Sequence, residues 1–197
     1  MLSAKRMVLV HLVFKRRLGS YHTAWEWLHK LCRAMFPPGR DQLSGLVEVN
    51  ETIVGGEHAG KRGRGAEGKT LVLIAAEDTG SGIGRIRLST ITDASGDVLT
   101  HAIQQMVSIG STIRTDGWGV YSSLCDIGYA HTPITNNNVK VSDAVQIAHR
   151  VASLLKRWLV DTHHGAINHK NLPYYLDEFT FRFNRRTSAS RGELFTD

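Results

Sequence analysis

Residues 69–91, KTLVLIAAEDTGSGIGRIRLSTI, constrain the fold more than any other stretch. An apolar run and an alternating run flank the short segment TGSG. Two strand-like runs so close together pair as an antiparallel hairpin. Upstream, GLVEVNETIV alternates β-branched and other residues, and the Gly-rich basic loop GEHAGKRGRGAEGK joins it to the hairpin. Three consecutive strands of this kind predict an antiparallel meander.

Downstream the pattern changes to alternating helix and strand. SGDVLTHAIQQMV carries a helical stripe of Val98, Ile103 and Met106, and GSTIRTDGWG is a strand ending in an Asp-Gly turn. VYSSLCDIG is a short helix and YAHTPI a short strand. SDAVQIAHRVASLLKRWLVDTHHG is a long amphipathic helix, capped by Ser142 or Asp143 and stopped by Gly165. The predicted order is β-β-β-α-β-α-β-α. It describes an α/β chain with a mixed sheet, three antiparallel strands and then alternating helix and strand, the order of the ribonuclease-H-like fold.

The N-terminal part is different. Ser20 is a good N-cap, and YHTAWEWLHKLCRAM repeats apolar residues at helical spacing before FPPGRDQLSG interrupts it. Residues 1–35 therefore read as a small basic helical appendage. Residues 36–45 read as a linker and 46–197 as the main domain. The first 20 residues combine basic and apolar stretches as a signal peptide does. Lys15, Arg16 and Arg17 follow the apolar part at once, and no small-residue cleavage site is clear.

No run of about 18 apolar residues exists to span a membrane. The cysteines, Cys32 and Cys125, form no metal-binding pair and read as buried free thiols of a cytoplasmic protein. The net charge of +6 is unevenly spread: +7 over residues 1–40, −4 over 41–149 and +3 over 150–197. A mildly acidic middle with basic flanks suits a core that chelates cations and flanks that hold phosphates, although a solvated surface could look the same.

Several residues could carry chemistry. In the predicted order, the middle of the first strand and the end of the fourth lie side by side, bringing Asn50 and Asp116 together. A phosphoryl-transfer site wants two or three convergent oxygen ligands for Mg²⁺ or Mn²⁺. Asp116 suits that position, or it is a turn aspartate capping the next helix. His149 and Lys156 are seven residues apart, on one helix face, with Ala152 and Ser153 keeping that face low. His149 has a second reading as a partly buried core residue. Lys156 and Arg157 beside a metal site could hold phosphate.

Arg185 and Arg186 follow the aromatics Tyr174, Tyr175, Phe179, Phe181 and Phe183, which read mainly as core. The pair is a plausible phosphate contact, as are Lys61, Arg62 and Arg64 in the basic loop. His163, His164 and His169 have no fitting carboxylate or cysteine and read as surface residues. A nucleic-acid-binding module without catalysis would share the basic ends but would not need Asp116 and His149 on converging elements. A Ser or Cys hydrolase lacks its nucleophile elbow.

VEVNETIVGG, GSTIRTDGWGVYSSL, HRVASLLKRWLVDTHHGAI and YYLDEFTFRFNRRTS together resemble the DDE-type transposases of bacterial insertion sequences, the ISXO-like group. The resemblance covers about residues 18–195, and SLLKRWL with YLDEFTFRFNRR is its most specific part. It implies a ribonuclease-H-like fold and a Mg²⁺- or Mn²⁺-dependent enzyme that cuts the element's ends and joins them to target DNA. It also implies a cytoplasmic, nucleoid-associated location and a homodimer holding paired ends. Asp116 matches the second catalytic aspartate. His149 falls at the third acidic position, which varies among Glu, Asn and His, and Lys156 matches a basic residue seven positions later.

The first catalytic aspartate falls at Asn50, and the zinc ribbon usual in longer relatives has no paired cysteines here. The resemblance thus implies weak metal binding through Asn50, Asp116 and His149. It leaves a catalytically inactive remnant that still binds DNA as the alternative. Glu51 is adjacent to Asn50 but should face the other side of the strand.

Overall fold

The computed structural model describes residues 42–55, 69–134, 145–163 and 169–187, together with seven positions between 19 and 30. Five strands form one sheet: β1 (Leu46–Gly55), β2 (Lys69–Asp78), β3 (Ile83–Ile91), β4 (Thr112–Thr115) and β5 (Ala130–Pro133). Helix α1 (Gly96–Met106) links β3 to β4, and a 3-10 helix (Gly119–Ile127) links β4 to β5. After β5 come α2 (Gln146–His163) and α3 (Leu172–Asn184). The spatial order is β3-β2-β1-β4-β5. β1 pairs antiparallel with β2, and β2 with β3, whereas β4 runs parallel to both β1 and β5. This is the expected mixed sheet of the ribonuclease-H-like fold.

The period-two pattern of the central strands sorts their side chains onto two faces. Val72, Ile74 and Ala76 of β2 pack with Val151, Leu155, Leu159 of α2 and Leu172, Leu176, Phe179 of α3. Leu73 and Ala75 point the other way, joining Val47, Val49, Leu99, Ile103, Ile113 and Tyr121. A strand buried on both faces must be apolar at nearly every position, which is why LVLIAA lacks a clean alternation. The 3-10 helix ends at Gly128, whose φ of 96° suits a residue without a Cβ.

Several details differ from the sequence expectations. The buried stripe of α1 is Leu99, Ile103 and Met106, with Val98 only half-buried. Leu43, within the expected linker, is fully buried, and its backbone bonds Met106 and Ser108. Cys125 is free but exposed, because the 3-10 helix turns Tyr121 and Leu124 inward instead. Ala152 belongs to the core, so only Ser153 keeps the outer face of α2 low. Of the appendage expected over residues 1–35, positions 22, 23, 26, 27 and 30 are helical. Cys32, Ser142, Asp143, His164 and Gly165 lie outside the described residues, and so do the side chains of His163 and His169.

The end of α3 is fastened to β3, an edge strand. The Asn184 carboxamide accepts from Ile86 N at 2.8 Å and donates to Ile86 O at 3.0 Å, as a neighbouring strand would. Arg186 donates to the carbonyls of Ile83, Gly84 and Phe183 and lies over the Phe183 ring at 4.2 Å. These contacts satisfy backbone groups that an open edge leaves unpaired.

Candidate functional site

β1 brings Asn50 to the face of the sheet covered by α2. Asn50 is 9% exposed, and its Nδ2 lies 3.5 Å from His149 Nδ1, a long contact joining β1 to the first turns of α2. Asp116 directly follows β4. The parallel register pairs Leu46 with Thr112 and Glu48 with Arg114. The ladder ends there, and Asp116 lies two residues past Arg114 as Asn50 lies two residues past Glu48. The expected adjacency of the first and fourth strands is present in this topology.

Each of the three has its own setting. Asp116 is half-buried, and its Oδ1 accepts Trp118 N at 3.1 Å. The aspartate thus shapes the turn; the start of the 3-10 helix has no side-chain cap. Below it, Thr115 Oγ1 accepts Gly117 N at 3.3 Å and meets His131 Nε2 at 2.9 Å. Burial lowers the His131 pKa, favouring neutral imidazole in that contact. Trp118, 37% exposed, stands edge-on to Tyr121 with centroids 6.3 Å apart.

Among the described residues, His149 Nε2 is buried and has no hydrogen-bond partner. A buried imidazole nitrogen without a partner is uncommon. If Asn50 donates to Nδ1, Nε2 carries the proton. If the amide is turned, Oδ1 accepts from Nδ1–H and Nε2 is left with its lone pair. The second arrangement leaves Nε2 free to accept, on the side of the ring away from Asn50. With Asn50, Asp116 and His149 as donors, the set holds one formal negative charge when the imidazole is neutral. Such a set fits a single weakly held cation and is too poor in charge for a pair of Mg²⁺ ions. Among the described residues no three His, Cys, Asp or Glu side chains group as a cation site.

Glu51 points away, as its place on the strand demands: its Oε2 accepts the Tyr121 hydroxyl at 2.8 Å on the opposite face. It cannot replace Asn50 without a change of register. Glu48, which motif reasoning misses, lies on the same face as Asn50. Only 2% exposed, it accepts Ile147 N at 2.8 Å and Ala148 N at 3.1 Å through Oε2. Its Oε1 accepts Arg114 Nη1 at 3.1 Å. The available signal is a carboxylate at an inward position of a buried strand, which is rare unless paired.

The candidate DNA-contacting residues are scattered. Lys156 and Arg157 are exposed on α2, as is Arg150, and together with Ser153 they make a polar outer face running away from His149. The Ser153 hydroxyl donates to His149 O at 3.0 Å. Arg185 lies 4.1 Å over the Phe181 ring. Arg186 is engaged with backbone carbonyls at the β3 edge, away from α2's outer face. Tyr175 and Phe179 are core residues, as their spacing suggested. Lys61, Arg62 and Arg64 lie outside the described residues.

Residues 42–184 match the model of the ISXO2-like transposase domain. The chain belongs to this family. The match starts with the buried Leu43 segment and ends at Asn184, so the family's domain is the sheet with its three helices. It is shorter than the resemblance read from the motifs, which ran to both sides of it. Among solved structures, one chain of a simian T-cell lymphotropic virus intasome in complex with PP2A regulatory subunit B56 gamma shares 14% identity, with a TM-score of 0.45. The alignment covers 84% of this chain and 61% of that one, so this transposase-family chain spans about three fifths of that chain's length. No curated protein matches. Among the described residues, no helix is long and apolar enough to cross a membrane.

Proposed function

We propose that this transposase-family domain handles insertion-sequence ends, with Asn50, Asp116 and His149 as its reaction site. The reading is DNA cleavage and strand transfer that depends on a divalent cation, Mg²⁺ or Mn²⁺. The observation that carries it is the meeting of Asn50 with His149, 3.5 Å apart across 99 residues of sequence, beside the strand end bearing Asp116. A bound cation would supply activation of the attacking oxygen and stabilisation of the leaving one. The side chains of Asn50 and Asp116 would hold it through oxygen, and His149 would join them only with its ring turned from the contact with Asn50, because its two nitrogens point to opposite sides of the ring. Lys156 and Arg157, on the exposed face of α2, would hold the DNA backbone beside the site. Arg185 would add a phosphate contact, and Lys61, Arg62 and Arg64 are further basic candidates. A homodimer would hold two ends together, and the protein would act on DNA in the bacterial cytoplasm.

Asn50 favours a second reading. The carboxamide keeps an oxygen ligand but loses a full negative charge, which lowers the rate about 10³-fold or more if the cation is needed. The domain would then be a DNA-binding remnant without cleavage activity. A strand-cleavage and strand-transfer assay with Mn²⁺ separates the two, comparing the natural chain with Asn50→Asp. Activity in both supports the enzyme reading, and activity only in the aspartate form supports the remnant. Inactivity of both, with intact DNA binding, removes Asn50 as the explanation.

A further inference from the structure

Three elements carry the three candidate site residues, and one buried carboxylate touches all of them. Glu48 lies two residues before Asn50 on β1, on the same face. Its Oε2 receives the backbone N–H groups of Ile147 and Ala148, the residues directly before His149 on α2. Its Oε1 receives Arg114, two residues before Asp116 on β4. Arg114 also donates to Asp78 Oδ2 at 3.2 Å, which extends the tie to β2. The Glu48 side chain is 3% exposed and that of Arg114 is 27% exposed, so the pair is held where water competes little.

We propose that Glu48 is a positioning residue: with Arg114 it sets the spacing of the β1, β4 and α2 segments that present Asn50, Asp116 and His149. A strand partner fixes β1 against β4, but no backbone ladder fixes a helix against a strand. Side chains must do that, and α2 meets β1 here through charge-assisted bonds from its first turn. A carboxylate suits this role better than an amide. It accepts from both helix N–H groups with one oxygen and from a guanidinium with the other. A glutamine has one accepting oxygen, so its NH₂ group would face either the N–H groups or Arg114. A small displacement of α2 would carry His149 away from Asn50, and site geometry is sensitive to shifts of about 1 Å.

The functional consequence rests on reading the trio as the reaction site; the positional part does not. The test uses the full chain with ¹⁵N-labelled histidine, reading the imidazole nitrogens of His149, which are assigned by their loss in His149→Gln. The natural protein should show one tautomer for this ring. In Glu48→Gln the ring signals should shift or split, and the amide protons of Ile147 and Ala148 should move upfield, while melting stays cooperative. Arg114→Lys retains the charge and should give a smaller change in the same direction. Glu48→Ala strands Arg114 and is open to unfolding, so the other two variants decide.

Unchanged His149 ring signals in a folded Glu48→Gln would overturn the proposal. In an Asn50→Asp background, Glu48→Gln should also lower the turnover of strand cleavage on the order of tenfold to a hundredfold, with half-saturation by DNA within about twofold. If the Asn50→Asp parent cleaves no DNA, the reading of the trio fails while the ring spectra still decide on Glu48.

Discussion

Replacing Asn50 by aspartate changes charge and almost nothing else, which makes it the most informative single substitution. The two side chains have the same shape, and the position is 9% exposed in a packed strand, so no cavity or clash is introduced. In the proposed site, without a cation, the new carboxylate would face that of Asp116. Two like charges ~5 Å apart at an effective dielectric of about 20 repel by roughly 3 kcal/mol, part of which a protonated His149 would offset. The variant should therefore melt below the natural protein in EDTA. A cation between the carboxylates removes the repulsion and adds its own binding energy. At 100 times its Kd it stabilises by about 2.7 kcal/mol.

For a chain of this size each kcal/mol moves Tm by about 2–4 °C, so Mn²⁺ should raise the Tm of Asn50→Asp by roughly 5–10 °C. The natural protein, with one carboxylate in the set, should respond by no more than about 2 °C at the same concentration. Differential scanning fluorimetry with and without Mn²⁺ reads both, with Asp116→Asn as the control that abolishes the gain. Equal shifts in the natural and Asn50→Asp proteins would refute the view that the missing charge at residue 50 limits cation binding. No shift in the variant would refute the placement of Asn50 and Asp116 in one site.

Lys156→Ala and Arg157→Ala should each weaken DNA binding about equally across sequences and reduce the slope of log K against log salt by about 1, measured by fluorescence anisotropy at several salt concentrations. An unchanged slope would take them off the DNA. Asn184→Ala leaves both Ile86 backbone groups unpaired at the β3 edge and should cost about 1–3 kcal/mol in urea unfolding. Burial lowers the His131 pKa below its ordinary 6.5, so between those values the unfolded chain binds more protons than the folded one. Stability should fall as pH drops from above 6.5 toward the lowered value and then level off, and His131→Gln should flatten that part of a Tm-against-pH curve. Burial raises the Glu77 pKa, but the side-chain and backbone hydrogen bonds from Arg85 outweigh it and leave the value below 4.5. A second loss of stability should therefore come as pH falls below 4.5 through the lowered value, and Arg85→Ala should weaken it.

The sheet was legible in the sequence because its signals are local. Turn residues and period-two alternation fix the meander, and helix–strand alternation fixes the parallel half of the sheet. The adjacency of the strands that carry Asn50 and lead to Asp116 was legible too, since the element order implies a parallel pair of the first and fourth strands. The side-chain partners were not legible, because they depend on which groups meet across long sequence separations. Arg186 looked like half of a phosphate-holding pair, and its charge and its neighbour Arg185 support nothing else. The fold instead gives it three carbonyls at the end of α3 and the edge of β3, so FNRR is in part a fastening motif.

Glu48 was hidden for the opposite reason. In VEVNET the alternation marks it as inward, where a lone carboxylate is costly, and only the structure shows the two helix N–H groups and the guanidinium that compensate. Neither Glu48 nor Arg186 depends on what occupies position 50 for its bonds. Fastening and positioning residues keep the domain folded and its three elements aligned whether or not a cation binds. An amide at residue 50 is therefore compatible with the family's domain and with the contact between Asn50 and His149. By this reasoning one substitution, Asn50→Asp, should suffice to test the chemistry, because the scaffold that the chemistry requires is still in place.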